Sequence, residues 1–136
     1  FPGAIRIQRE VRESTWSNWS KRREFQLPDE LLPTGVQQFW MLPLQEAIDA
    51  AHDIPEGSIL FTLRQPLPHI PIAVTHVSIT IPGDIPTLRH ASKMGSGTLR
   101  DHSLVWYLEH LKTYVNWPAV GVIVLQPVEF GPRRRE

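Results

Sequence analysis

The sequence predicts an α+β fold: an antiparallel β-sheet or small partly open barrel carrying two short helices. Three observations predict it. Segments of period-two alternation recur along the chain, two stretches carry helical spacing, and Pro-Gly clusters join neighbouring strand segments without long crossovers. Proline also occurs 13 times. It removes a backbone donor and blocks helix interiors, so it favours short elements joined by firm turns.

The elements follow in order. From Ala4 to Val11, the residues Ile5, Ile7 and Val11 alternate with Arg6, Gln8 and Arg12, which fits a strand better than an exposed helix. Ser14 to Ser20 sets Trp16 and Trp19 among small polar residues. These rings either stack on a sugar or peptide or simply cover a loop. Leu27 to Pro43 is broken by Pro28, Pro33 and Pro43 and reads mostly as loop. Pro43 then opens a helix over Leu44 to His52, with Leu44, Ala47, Ile48 and Ala51 on one face. Pro55 and Gly57 end it, and Ser58 to Arg64 reads as a strand. Gln65 to Pro71 is a rigid loop containing His69.

Val74 to Ile81 is the clearest strand. Its odd positions (Thr75, Val77, Ile79, Ile81) form an apolar face, and its even positions (Val74, His76, Ser78, Thr80) a more polar one. Pro82-Gly83-Asp84 signals a turn, and Thr87 to Ser92 returns as the paired strand. Lys93 to Gly97 reads as a glycine-rich loop. Asp101 or Ser103 can cap a helix to about Thr113, with Leu104, Tyr107, Leu108 and Leu111 on one face. Val120 to Gln126 closes the chain as a buried strand.

Composition narrows the functional classes. The chain has 136 residues, 41% of them hydrophobic, and this supplies a core for one ordinary domain or part of a larger one. Formal net charge is zero, so bulk charge gives no argument for a nucleic-acid partner. The run Arg133 to Arg135 reads as a solvated tail. No stretch is long and apolar enough for a membrane span. Cysteine is absent, which excludes disulfides, thiolate metal sites and a cysteine nucleophile within these residues. The chain starts at Phe1, so it is expected to be a fragment or a processed product.

A hairpin centred on Gly83 would set position 76 opposite 90, 78 opposite 88 and 74 opposite 92. His76 and His90 would then be neighbours on the polar face. Two adjacent imidazoles can act as a base and its orienting partner, share a metal, or pack structurally. A metal would need a third ligand such as His69 or His102, and no metal-ligand spacing is present, so no metal or other cofactor is expected.

The strings Thr75-His76-Val77-Ser78-Ile79 and His90-Ala91-Ser92 resemble the HVGI and HAS pattern of NlpC-type papain-like hydrolases, which are bacterial cell-wall peptidases and amidases. Ile54 to Leu60 resembles that family's I-x-x-GD-I string, with Ser58 in place of Asp. Ser103 to Tyr114 followed by Val120 to Pro127 resembles its ending, with Gln126 where arginine is common. The layout is most similar to the N-acetylmuramoyl-L-alanine amidase-like subgroup and covers about residues 44 to 128.

The resemblance implies that His76 is a general base and His90 the residue that orients it. Ser78, Ser92, Trp16 and Trp19 are candidate substrate-binding residues. The resemblance also implies a peptidoglycan or muropeptide substrate and a periplasmic or secreted location. Residues 44–136 would be the β-rich, histidine-bearing part of the papain-like domain. Residues 1–43 would be an irregular remnant of a preceding helical half. The family's cysteine has no counterpart here. Either the chain is the C-terminal part of a longer cysteine hydrolase, inactive alone, or it is a non-catalytic domain that binds cell-wall fragments or protein, through residues such as Trp16, Trp19 and Trp40.

Overall fold

The computed structural model describes residues 1–71, 73–92 and 98–128. The expected loop Lys93–Gly97 and the tail arginines lie outside that set. Seven strands form one sheet: β1 (Ile5–Val11), β2 (Gly35–Pro43), β3 (Ile59–Arg64), β4 (Val74–Ile81), β5 (Thr87–Ala91), β6 (Leu99–Ser103) and β7 (Ala119–Leu125). Their spatial order is β1-β2-β7-β3-β4-β5-β6, and each neighbouring pair is antiparallel. The α+β class with an antiparallel sheet is therefore observed. The sheet is open rather than closed into a barrel, with β1 and β6 at its edges. Three α-helices accompany it: α1 (Glu13–Ser17), α2 (Leu44–Asp49) and α3 (Leu104–Leu111).

The stretch expected to be loop is corrected first. Gly35–Pro43 is a strand that pairs with β1 along Ile5↔Met41 to Val11↔Gly35. Its prolines bracket the strand rather than interrupt it. Its alternation is hidden because Val36 and Trp40 point outward, opposite Phe39 and Met41. Residues 1–43 thus hold two strands and a helix in place of an irregular segment. They join the main sheet at Leu42↔Val122 and Pro43↔Gly121.

α2 and α3 pack against one face of the sheet. α3 buries Leu104, Tyr107, Leu108 and Leu111, the expected face. Ser103 caps it by accepting from the Trp106 N–H, and the Leu104 N–H donates to Pro86 O at 2.9 Å. α2 brings Ala47, with Ala51 just beyond it, against Leu42, Leu60, Leu88 and Val122 to complete the core.

The faces of β4 are the reverse of what apolar content suggests. The inward face carries His76, Ser78 and Thr80, while Val77 and Ile79 are exposed on the other side. Thr80 is accommodated there by specific bonds. Thr80 Oγ1 donates to Pro55 O (2.7 Å) and accepts from the Ser58 N–H (2.9 Å).

The hairpin register also differs from expectation. The observed pairs are Ile79↔Arg89, Thr80↔Leu88 and Ile81↔Thr87, which centres the turn on Asp84. A turn about Gly83 would have put Pro86 inside the ladder opposite Thr80, without an N–H to give. The loop runs from 82 to 86 instead, closed by Thr87 Oγ1 donating to Ile85 O (2.8 Å).

Candidate functional site

The register shift moves His90 diagonal to His76 rather than directly across from it. Pairing changes by an even number of positions, so both stay on the inward face, and diagonal neighbours remain within reach of ring-sized side chains. His76 Nε2 and His90 Nδ1 share a hydrogen bond at 2.6 Å, with ring centroids 4.8 Å apart and planes nearly perpendicular. A β-bulge lies beside them: Thr62 pairs with His76 but Leu63 pairs with Val74, leaving Thr75 as the extra residue. Bulges re-aim side chains locally, and this one sits where His76 leaves the ladder.

His90 is only 6% exposed, while His76 is half-buried at a cleft of about 570 Å³. The cleft is also lined by Thr62, Arg64, Tyr107, His110 and Tyr114. Across its floor, Thr62 and Tyr107 join hydroxyls at 2.7 Å. That bond fixes the Tyr107 ring 6.0 Å from His76 and 5.5 Å from His90. Beyond His90, His102 stands edge-on at 5.1 Å, and Trp106 stacks between His102 and His110.

Burial pushes the His76 imidazole below its ordinary value. His90 is pushed down by burial first, then by His76 and His102, with Asp101 pulling the other way. Both rings are therefore neutral at pH 7, and one hydrogen lies in the bond between them. When His76 Nε2 is the donor, its Nδ1 keeps a lone pair, and that nitrogen makes no hydrogen bond among the described residues. His90 then carries its hydrogen on Nε2, which is enclosed and unpartnered. In that tautomer His76 Nδ1 is free to accept a proton, while the bond to His90 fixes the ring.

A pH dependence follows. The unfolded chain takes up protons below the ordinary imidazole value of about 6.5, whereas the folded pair resists them. Stability from the pair is fully present above that value and is lost as pH falls through the lowered folded values. Urea midpoints should therefore drop between pH 7.5 and pH 5, and drop less steeply in a His76→Gln/His90→Gln variant. Parallel curves for the two proteins would show that the pair does not titrate against the fold.

The other sequence candidates lie elsewhere or in different environments. Trp16 is 4% exposed, donates its indole N–H to Pro33 O at 2.8 Å and stacks on Phe25 at 5.7 Å. Trp19 meets both rings edge-on. They form a packed cluster with Phe25 and are not among the residues lining the histidine cleft, while Trp16 lines a separate surface cleft beside Arg22 and Asp29. Ser78 is buried on the inner face with its hydroxyl unpartnered. Ser92 is buried and lines the cleft. No group of three or more His, Cys, Asp or Glu among the described residues is placed to hold a metal ion. None of the helices described is long and apolar enough to cross a membrane.

Sequence reading missed Thr62 and Arg64, took Tyr107 only as a helix-face residue, and did not join His102, named only as a possible metal ligand, into the line His102, Trp106, His110, Tyr114. That line has a signal: four ring-bearing residues spaced by four, which places them along one ridge. Thr62 and Arg64 have none, because their place in the cleft depends on the pairing of β3 with β4.

No protein-family model and no curated protein matches the sequence. Among solved structures, the chain is similar to the crystal structure of protein LPG0564 from Legionella pneumophila str. Philadelphia 1, described under the family DUF1460. The TM-score is 0.68 at 17% identity, over 93% of this chain and 53% of the other. At that identity the likeness concerns the fold alone, and this chain spans about half the length of its neighbour.

Proposed function

We propose that this chain is the histidine-bearing part of a cysteine amidase or peptidase that acts on peptidoglycan amide bonds in the periplasm or outside the cell. The observation that carries the reading is the 2.6 Å bond between His76 Nε2 and His90 Nδ1 at the edge of a cleft, with His76 Nδ1 left unbonded. In this reading a thiolate attacks the amide carbonyl. His76 takes the thiol proton through Nδ1 and later returns it to the leaving amine, while His90 holds the His76 ring and its tautomer. The sequence contains no cysteine, so in this reading the nucleophile comes from outside it.

That same lack of cysteine favours a second reading, in which the cleft binds cell-wall fragments without cleaving them. The test is hydrolysis of purified muropeptides by the product of the complete reading frame. An upstream cysteine opening a helix, together with amide cleavage that iodoacetamide abolishes, supports the enzyme. A complete frame without cysteine, or binding without cleavage, supports the second reading and ends the first.

A further inference from the structure

Arg12, Arg22 and Arg89 each pair with a carboxylate. Arg64, like Arg6, Arg9, Arg23 and Arg100, has none among the described residues, but of these arginines it is the one that lines the histidine cleft. Its single side-chain bond is a long one, from Nη1 to Trp117 O at 3.4 Å. Its Nε is enclosed without a partner, and Nη2 makes no hydrogen bond among the described residues. Yet the side chain is not loose, since the guanidinium lies over Tyr114 at 4.6 Å and Trp117 at 5.0 Å.

The backbone fixes the group as well. β3 is bulged against both neighbours at this end, with Thr75 extra on β4 and Val120 extra on β7. The Arg64 N–H donates to Ala73 O, and the following Gln65 N–H to Pro118 O. A held cation with unused donors is a group preorganised for an anion. Among the described residues, the cleft it lines contains His76, His90 and His110 but no aspartate or glutamate. A guanidinium presents parallel N–H bonds that match a carboxylate.

We propose that Arg64 binds a free carboxylate of the ligand, so that the cleft takes a short peptide amide carrying that carboxylate one or two residues from the bond facing His76. The spacing comes from β3. Thr62 pairs with His76, and Arg64 lies two residues further along the same face, roughly 7 Å of strand. An extended peptide covers that span in about two residues. The peptide length rests on the hydrolase reading above, whereas the carboxylate site does not.

The test is a binding comparison on this chain, with acetyl-Ala-Ala and its C-terminal amide as probes. Binding is read from the amide and indole N–H shifts of Trp117 and the ring shifts of His76. The acid should bind at least about tenfold more tightly than the amide, a preference that salt weakens. Arg64→Gln should abolish the preference, and Arg64→Lys should restore part of it. Equal affinity of the native chain for the two probes, including no binding by either, overturns the proposal. So does a preference that survives in Arg64→Gln. Because the readout needs no cleavage, a clear acid preference alongside an inactive full-length protein would retire only the hydrolase reading.

Discussion

Gly121→Ala should cost roughly 3 kcal/mol of stability and lower the thermal midpoint by about 10 °C. Gly121 lies in β7, paired with Leu63 on one side and Pro43 on the other. A methyl group there would overlap the Leu42 carbonyl oxygen and approach Met41 Cγ to 2.9 Å. The first of these is backbone and cannot rotate aside, so β2 must move away from β7. Only two residue pairs, Leu42↔Val122 and Pro43↔Gly121, join β2 to the main sheet. Any movement there also uncovers Leu42 and Val122, both fully buried. Overpacking of this kind costs about 1–3 kcal/mol, and re-exposing one large aliphatic side chain about 1.5–3 kcal/mol. The two overlap in part, which is why the expected loss stays near 3. Urea denaturation monitored by far-UV circular dichroism would measure it. A loss below about 1 kcal/mol would mean that β2 can step aside without leaving β7.

Gly121 also shows where the sequence is silent. Its neighbours Val120 and Val122 mark a strand, but nothing local says that another backbone passes against it. The same limit applies across the fold. β3, β4 and β7 are legible because alternation or apolar runs are local properties. β2 is hidden because two large apolar residues occupy its exposed face, and β6 because Leu99-Arg100-Asp101-His102-Ser103 has no alternation of its own. For β4 the alternation is correct but its polarity misleads. α2 and α3 cover the face with histidine, serine and threonine, where His76 and Thr80 find bonds, and the valine and isoleucine face is left open.

The histidine pair survived a wrong register for a physical reason. Strand side chains repeat every two residues, so an even change in pairing keeps both rings on one face and merely slides them apart by one diagonal. Arg64 and Thr62 had no such protection. Their relation to His76 depends on β3–β4 pairing and on a bulge that period-two reasoning passes over. The aromatic pair Trp16 and Trp19 illustrates the converse. Exposure cannot be read from composition, and those rings close a cluster with Phe25 away from the histidine cleft.

If the proposed hydrolase reading holds, His76→Ala in the full-length protein should lower muropeptide hydrolysis by about 10²–10⁴-fold, the range for loss of a positioned general base. His90→Ala should cost less, because it leaves the base in place and removes only what orients it. The two changes should also be far from additive. His90 acts through its bond to His76 Nε2, so once His76 is gone the second substitution has little left to remove. Folding must be separated from chemistry, since His90 is buried and its loss opens a cavity beside Tyr107. His90→Gln fills most of that space and can still accept from His76, so it should recover part of the rate lost in His90→Ala. Rates for the four proteins and the double variant, each verified as folded by circular dichroism, decide the matter. Activity retained in His76→Ala removes the base from the mechanism. Additive losses would show that the two histidines act separately, and the bond between them would then be packing alone.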